Sequence, residues 1–216
     1  MKRRPSIILA TFLTSMMSLS SHLFAADDAS LQVKAKVQKV LMNPEGKADG
    51  LLLDDGTQVK FPPHMSQELS ALVKASDSVS IKGFRENAKV FKAESITNTA
   101  TNKSVADKGP VGLDGKPVAG GPGEPGPGGP RGPKGPENHK GLSEISAQGK
   151  IQTQLFGKRG EVNGAILADG SIVRFSPRVL EDSKVKLDVG QGLKVSGFGT
   201  QTSSGKSLEA TTISNN

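Results

Sequence analysis

The chain has 216 residues, of which 34% are hydrophobic and 4% aromatic, with no Cys, Trp or Tyr and a formal net charge of +7. The absence of Cys excludes disulfides, thiolate metal sites and a cysteine nucleophile. The length allows one or two domains of ordinary size. The 26 Gly and 13 Pro residues are spread unevenly, which indicates a spacer without a packed core.

The N-terminus has the three parts of a secretory signal peptide. Lys2, Arg3 and Arg4 precede an apolar stretch at 7–19, and small residues end the segment at Ala25-Ala26. We therefore predict a signal peptide at residues 1–26 and a mature protein that is periplasmic or secreted. The apolar stretch is shorter than the about 20 residues of a membrane span, and we expect no span elsewhere.

Removal of the signal peptide also changes the charge. Without its three basic residues the chain keeps 28 − 3 = 25 basic and 21 acidic residues, a net charge of +4. Basicity is therefore weak evidence for a polyanionic partner.

The segment after the signal peptide has the pattern of short strands. Apolar residues alternate with polar ones at 31–37, as in a half-buried strand. Asp55-Gly56 lies between the apolar runs 51–53 and 59–61, which predicts a hairpin because a tight turn needs residues that tolerate positive φ. Pro62-Pro63 then ends the third strand, since proline lacks an N–H for the ladder.

A helix and two further strands complete this unit. Met65, Leu69, Leu72 and Val73 recur at helical spacing and predict one helix with an apolar face. Strands follow at 79–84 and 90–96. The order β-β-β-α-β-β is that of the OB-fold, a five-stranded Greek-key barrel.

The same unit occurs twice. Residues 50–63 match residues 164–177 without a gap at an offset of 164 − 50 = 114. Ala93 and Ile96 meet Ala210 and Ile213 at an offset of 117, so the second copy has three extra residues. Its helix has fewer apolar residues, and we expect it to be short or irregular.

A glycine- and proline-rich segment separates the copies. Gly-X-Y triplets occupy 109–117 and 120–137. We predict a disordered collagen-like linker at 99–144 that lets the two modules move independently. A trimer formed through a collagen triple helix is the alternative, because only glycine fits the axis of that helix.

The string 50–64, from Gly50 through the Asp55-Gly56 turn to His64, with Gly83 after an alternating strand, resembles small exported OB-fold-like modules of bacterial proteins whose function is uncharacterised. The resemblance covers both copies and implies the fold and a periplasmic setting, but no catalytic or binding residues. We predict an all-β chain with a short helix per module. OB-like module 1 is at 27–98 and module 2 is at 145–216.

Four polar residues near the end of strand three are the candidate binding residues. Lys60 and Arg174 hold equivalent positions, as do His64 and Arg178, and all four are expected to be exposed. Gly83-Phe84 and Gly197-Phe198 are expected to be strand bends that let a core ring pack.

An acidic group near the first hairpin could supply oxygen ligands to a cation. It consists of Glu45, Asp49, Asp54 and Asp55. The second copy keeps only Asp169, the counterpart of Asp55, so turn chemistry explains the shared carboxylate better. We predict no metal site and no cofactor.

No spacing of residues points to catalysis, so we predict that the chain is not an enzyme. The favoured function is a non-catalytic binding protein that recognises an envelope ligand or protein partner as a monomer. Single-stranded nucleic-acid binding is one alternative. It is weakened because Tyr and Trp are absent and because Phe61 and Phe175 should face the barrel cores. A structural protein that forms trimers through the linker is the other.

Overall fold

The structure, a computed structural model, describes residues 30–109, 141–203 and 205–215. The predicted signal peptide and the linker residues 110–140 lie outside these ranges. The first half contains β1 (Leu31–Met42), β2 (Ala48–Leu53), β3 (Gln58–Lys60), a 3-10 helix (Pro63–Met65), α1 (Ser66–Leu72), β4 (Ser78–Arg85), β5 (Val90–Asn98) and β6 (Lys103–Ala106). The second half contains β7 (Ser143–Phe156), β8 (Val162–Leu167), β9 (Ile172–Phe175), α2 (Pro177–Ser183), β10 (Gly192–Thr202) and β11 (Gly205–Asn215).

Each half forms a closed five-stranded barrel. In the first barrel the strands are ordered β3-β2-β1-β4-β5, and a parallel pairing of β3 with β5 closes the ring. The second barrel has the order β10-β11-β9-β8-β7, with β9 parallel to β11. The long strands β1 and β7 each pair with two neighbours, one after the other along their length. The predicted fold class, two OB-like barrels with a short helix each, is confirmed.

The helix between strands three and four differs between the barrels. Met65, Leu69 and Val73 are at most 2% exposed and close one side of the first core, as their helical spacing predicted. The second helix, α2, has no fully buried residue and ends at Lys184, which has a left-handed φ of 52°. The expected short second helix is therefore present. Within the described ranges, no helix is long and apolar enough to cross a membrane.

A sixth strand extends the first sheet into the predicted linker. β6 pairs antiparallel with β5, from Asn98 opposite Lys103 to Ser95 opposite Ala106. Val105 is 7% exposed and packs on the first core. The predicted linker begins at residue 99 because the stretch 97–104 is rich in Thr, Ser and Asn. Pairing with β5 supplies the missing stabilisation through backbone hydrogen bonds.

The glycines of β4 and β10 have a different role from the one predicted. Phe84 and Phe198 are only partly buried, so neither ring is a core residue. The strand register shifts at Gly83 and at Gly197. A Cβ on Gly83 would collide with the carbonyl oxygen of Lys92, and one on Gly197 with that of Glu209. Glycine is required because the bulge brings the neighbouring backbone too close for any side chain.

The two barrels pack directly against each other. A cluster of side chains, none more than 9% exposed, joins them: Leu41, Met42 and Leu52 from the first barrel, and Leu155, Ile166 and Ile172 from the second. Leu52 and Ile166 are the middle residues of apolar triplets in β2 and β8 whose outer members fill the barrel cores. The expectation that the modules move independently is therefore wrong.

Candidate functional site

Buried hydrogen bonds between the barrels fix their relative position. The side chain of Gln58, 2% exposed, donates from Nε2 to the carbonyl of Gln154 at 2.8 Å and accepts at Oε1 from the N–H of Phe156 at 2.9 Å. In the opposite direction, Oγ of Ser207 donates to the carbonyl of Met42 at 2.8 Å. Met42 and Phe156 are equivalent in the duplication (156 − 42 = 114). A side chain from each barrel thus forms a hydrogen bond with a backbone group at the equivalent position of the other barrel.

Loop contacts repeat this reciprocal relation. Asn87, in the β4–β5 hairpin, donates from Nδ2 to the carbonyls of Gly157 and Lys158, both at 3.0 Å. Thr200 in β10 donates from Oγ1 to the carbonyl of Pro44 at 3.0 Å. Pro44 and Lys158 are again equivalent at the offset of 114. Equivalent backbone positions of the two barrels are thus contacted from the opposite barrel.

Residues of both barrels line a cleft of about 490 Å³, which we call the inter-barrel cleft. Its volume is in the range of small-molecule sites. Its walls come largely from β2 and β3 of the first barrel, from β8 and β9 of the second, and from the turns beside them. These are the second and third strands of each barrel, through which OB-folds commonly bind ligands. Its polar lining includes Asp49, Lys60, Glu86, Lys158, Asn163 and Arg174.

An ion pair crosses one end of the cleft. Nη2 of Arg174 donates to both carboxylate oxygens of Asp49 at 3.0 Å. Burial raises the pKa of Asp49, and the charge and hydrogen bonds of Arg174 oppose that rise. The side chain of Arg174 is 18% exposed, so this pair is shielded more than an ordinary surface ion pair.

Two cations that line the cleft, the half-buried Lys60 and the exposed Lys92, have no close partner among the described residues; Lys60 is the more shielded of the two. It is half-buried, and its ammonium forms no hydrogen bond or ion pair within 4 Å among the described residues. Burial lowers the pKa of Lys60, an effect opposed by the nearby carboxylate of Glu86. An ammonium held in this way gains hydrogen bonds when an acceptor enters the cleft.

Two acceptor atoms in the cleft wall also lack hydrogen-bond partners. They are Oε2 of Glu86 and Oδ1 of Asn163. The other oxygen of Glu86 lies 3.9 Å from Nζ of Lys158, a contact too long for a hydrogen bond. A buried acceptor left without a donor costs about 1–3 kcal/mol. Both atoms are buried within the wall and are not open to a ligand in the cleft.

The structure brings together two of the four predicted binding residues. Lys60 and Arg174 both line the cleft, although they are partly buried and not exposed as expected. His64 is outside it, with Nε2 3.0 Å from Oδ1 of Asp107. Arg178 is also outside, with a side chain 91% exposed and Nε 3.8 Å from Oδ2 of Asp182.

Sequence reasoning missed Asp49, Glu86 and Asn163 as cleft residues. A usable signal was the apolar triplets at 51–53 and 165–167, because three consecutive apolar residues in a strand imply burial on both faces. A second buried face on both barrels indicates that they pack together. Polar residues beside that face are then candidates for a site between the barrels.

In the acidic group near the first hairpin, the carboxylate of Asp55 holds the hairpin turn. Oδ1 of Asp55 accepts from the N–H of Thr57 at 2.8 Å and Oδ2 from its hydroxyl at 2.9 Å. Asp169 holds Ser171 in the same way, at 2.9 and 2.8 Å. The predicted turn chemistry is therefore confirmed. Over the described part of the chain, no three His, Asp or Glu side chains are grouped as metal ligands.

No family model matches the chain. Nor does any curated protein. Among solved structures, the chain is similar to a deletion variant of the single-stranded DNA binding protein from Thermus aquaticus. That similarity has a TM-score of 0.22 and 10% sequence identity, and it covers 87% of this chain and 95% of the other.

Proposed function

We propose that the protein is an exported, non-catalytic binding protein that holds a small polar ligand in the inter-barrel cleft. The observation that carries the proposal is the half-buried ammonium of Lys60, which lines the cleft and has no hydrogen-bond or ion-pair partner within 4 Å among the described residues. Ligand pockets characteristically combine an apolar wall with a few convergent polar groups. Leu41, Gly50 and Phe61 contribute apolar surface to this one.

The arrangement suits binding better than catalysis. A general acid or base needs a reacting group within hydrogen-bond reach, and nucleophilic catalysis needs a nucleophile beside its base. The carboxylate of Asp49 already accepts hydrogen bonds from Arg174. We therefore infer that these charges position a ligand and hold the barrels together.

Export rests on the sequence of residues 1–26. A positive segment, an apolar stretch and small residues before Asp27 have the organisation of a secretory signal. Fusion of residues 1–26 to a reporter enzyme that is active only outside the cytoplasm tests this part. We expect activity from the fusion, and none when Lys2, Arg3 and Arg4 are changed to Glu and the apolar stretch is interrupted by Asp.

Ligand binding is tested by nuclear magnetic resonance on the mature full chain, labelled with ¹⁵N. Small polar compounds of several classes, namely saccharides, zwitterionic dipeptides and inorganic phosphate, are titrated separately. We expect one class to shift the amide signals of Gly50 and Asn163 in a saturable manner. If no class does so, the cleft is not a small-molecule site and the proposal fails.

Nucleic-acid binding, the alternative from the sequence, receives less support from the charges. The cleft lining carries three carboxylates, on Asp49, Glu86 and Glu209, beside four cations, so it lacks the strong excess of positive charge that binds a phosphate backbone. Titration with a labelled single-stranded oligonucleotide at two salt concentrations tests this alternative. The trimer alternative concerns linker residues outside the described ranges, and sedimentation of the mature chain tests it.

A further inference from the structure

The last strand of the second barrel, β11, has an open edge where its counterpart in the first barrel is covered. In the first barrel, β6 pairs with residues 95–98 of β5. At the offset of 117, these residues correspond to 212–215 of β11. The strand β9 pairs with β11 only as far as Ala210. Beyond that point, no strand of the described ranges lies on this side of β11.

The side chains along this edge are more exposed than their counterparts in the first barrel. Ile96 is 0% exposed, whereas Ile213 is only partly buried. Asn98 is 3% exposed, whereas Asn215 is exposed. In the first barrel, β6 places Val105 opposite Ile96 and adds it to the core. The edge of β11 therefore leaves apolar surface in water that an added strand would bury.

The backbone of β11 also directs hydrogen-bonding groups outward. In the first barrel, the N–H of Asp107 donates to the carbonyl of Glu94. Residues that face one neighbour alternate with residues that face the other along an antiparallel strand, so residues 94, 96 and 98 direct their backbone groups to β6. By the offset of 117, residues 211, 213 and 215 direct theirs away from β10.

We propose that this edge binds the same edge of a second copy of the chain, so that β11 pairs antiparallel with β11. A two-fold axis at Ile213 places this residue opposite itself and Thr211 opposite Asn215. The three N–H groups of each copy then donate to the three carbonyls of the other, which gives six backbone hydrogen bonds. The interface is isologous and closes at two copies.

The side-chain pattern of β11 argues for a second β11 as the added strand. The covering strand β6 and the edge itself carry the same order of a hydroxyl, a β-branched apolar and a small side chain: Ser104, Val105 and Ala106 in β6, and Thr212, Ile213 and Ser214 in β11. In both pairings a hydroxyl residue lies opposite a hydroxyl residue, and a β-branched apolar residue lies opposite another. Such cross-strand pairs stabilise a sheet.

The absence of charge on this edge also favours pairing with itself. Exposed strand edges usually carry charged residues that prevent pairing with another chain. Three other segments that pair on one side only include such a charge: Lys34 in 31–35, Lys103 in β6 and Glu144 in 143–149. Residues 211–215 carry none.

Sedimentation of the mature full chain at a series of concentrations tests the dimer. We expect a reversible monomer–dimer equilibrium with a Kd on the order of 100 µM, because five residues a side form a small interface. The double substitution Thr212→Lys with Ser214→Lys should raise the Kd about tenfold or more. It changes two exposed side chains and sets lysines opposite each other across the axis.

The matched control is Ser95→Lys with Thr97→Lys, which makes the same change at the equivalent positions of the first barrel, beside β6. It should leave the Kd unchanged. Three results overturn the proposal: a monomer at about 1 mM, ten times the expected Kd, a trimer, or equal dimer stability in the two double variants.

Cysteine cross-linking tests the register, since the chain has no cysteine of its own. Thr212→Cys and Ser214→Cys are prepared separately and oxidised alone and as an equal mixture. Residue 212 of one copy lies opposite residue 214 of the other, within reach of a disulfide, whereas neither residue lies opposite itself. We expect a disulfide-linked dimer chiefly in the mixture. Equal cross-linking in all three samples, or none in any, overturns the proposed pairing.

Discussion

The carboxylate of Asp49 in the first barrel receives two 3.0 Å hydrogen bonds from Nη2 of Arg174 in the second, across 125 positions of the chain. The equivalent positions of the duplication, 163 and 60, carry Asn163 and Lys60. The same pair of sites thus forms an ion pair in one direction, from Arg174 to Asp49. In the other direction, Oδ1 of Asn163 has no hydrogen-bond partner among the described residues, so Lys60 does not take the place of Arg174 there.

The first prediction concerns this ion pair. Arg174→Met should lower the free energy of unfolding by about 1–2 kcal/mol, because it leaves the partly buried carboxylate of Asp49 without its donor. Chemical denaturation of the mature chain measures the loss. Arg178→Met removes an exposed pair and should cost at most about 0.5 kcal/mol. Equal losses in the two variants would show that the Asp49–Arg174 pair adds nothing.

The second prediction concerns the packing of the barrels. Aspartate at both Leu52 and Ile166 should separate the barrels, because unpaired carboxylates are too costly to bury in the cluster between them. Small-angle scattering should then give a larger radius of gyration, while circular dichroism keeps its β-sheet signal. Aspartate at the exposed Leu31 and Val189 is the control and should leave the radius unchanged. An unchanged radius in the first variant would mean that the cluster does not hold the barrels together.

The third prediction concerns the bulge glycine of β10. Gly197→Ala should destabilise the chain by more than about 2 kcal/mol, since its Cβ would overlap the carbonyl of Glu209 and force the strands apart. Gly149→Ala is a matched control, because there the nearest atom, Cβ of Leu167, would lie 3.5 Å from the new methyl group. Thermal unfolding of the two variants decides. Similar midpoints would show that the sheet adapts to the methyl group at no cost.

The fourth prediction concerns pH. Burial depresses the pKa of Lys60 below its ordinary value of 10.5, so the folded state binds fewer protons than the unfolded state between the depressed pKa and 10.5. The contribution of Lys60 to stability should therefore rise with pH across that window. The difference in free energy of unfolding between the natural chain and Lys60→Met, measured at several alkaline pH values, should move in favour of the natural chain. A difference independent of pH would mean that Lys60 titrates alike in both states.

The barrels themselves could be predicted because each depends on local pattern. The alternation at 31–37 and the Asp55-Gly56 turn are properties of neighbouring residues, and the match at an offset of 114 transfers them to the second copy. The strand β6 could not be found in this way. Its stability comes from pairing with β5 and from one buried side chain, Val105, among polar neighbours.

The candidate site could be predicted only in part. Lys60 and Arg174 were identified by their equivalent positions on strand three, and both line the cleft. His64 and Arg178 hold equally equivalent positions but lie outside it. Equivalence in the duplication states which residues correspond, and it says nothing about which side of a barrel will be covered by the other barrel.

The sequence by itself determined the duplication, the barrel topology, the hairpin turns and the short helices, because each follows from periodicity or from turn chemistry within a few residues. Only the tertiary structure decided that the barrels pack together and that Asp49 meets Arg174. Those contacts join residues 70 to 165 positions apart, and their geometry depends on the relative orientation of two closed barrels. The glycine- and proline-rich composition suggested separate modules, yet the apolar middle residues Leu52 and Ile166 can leave water only by facing each other's barrel.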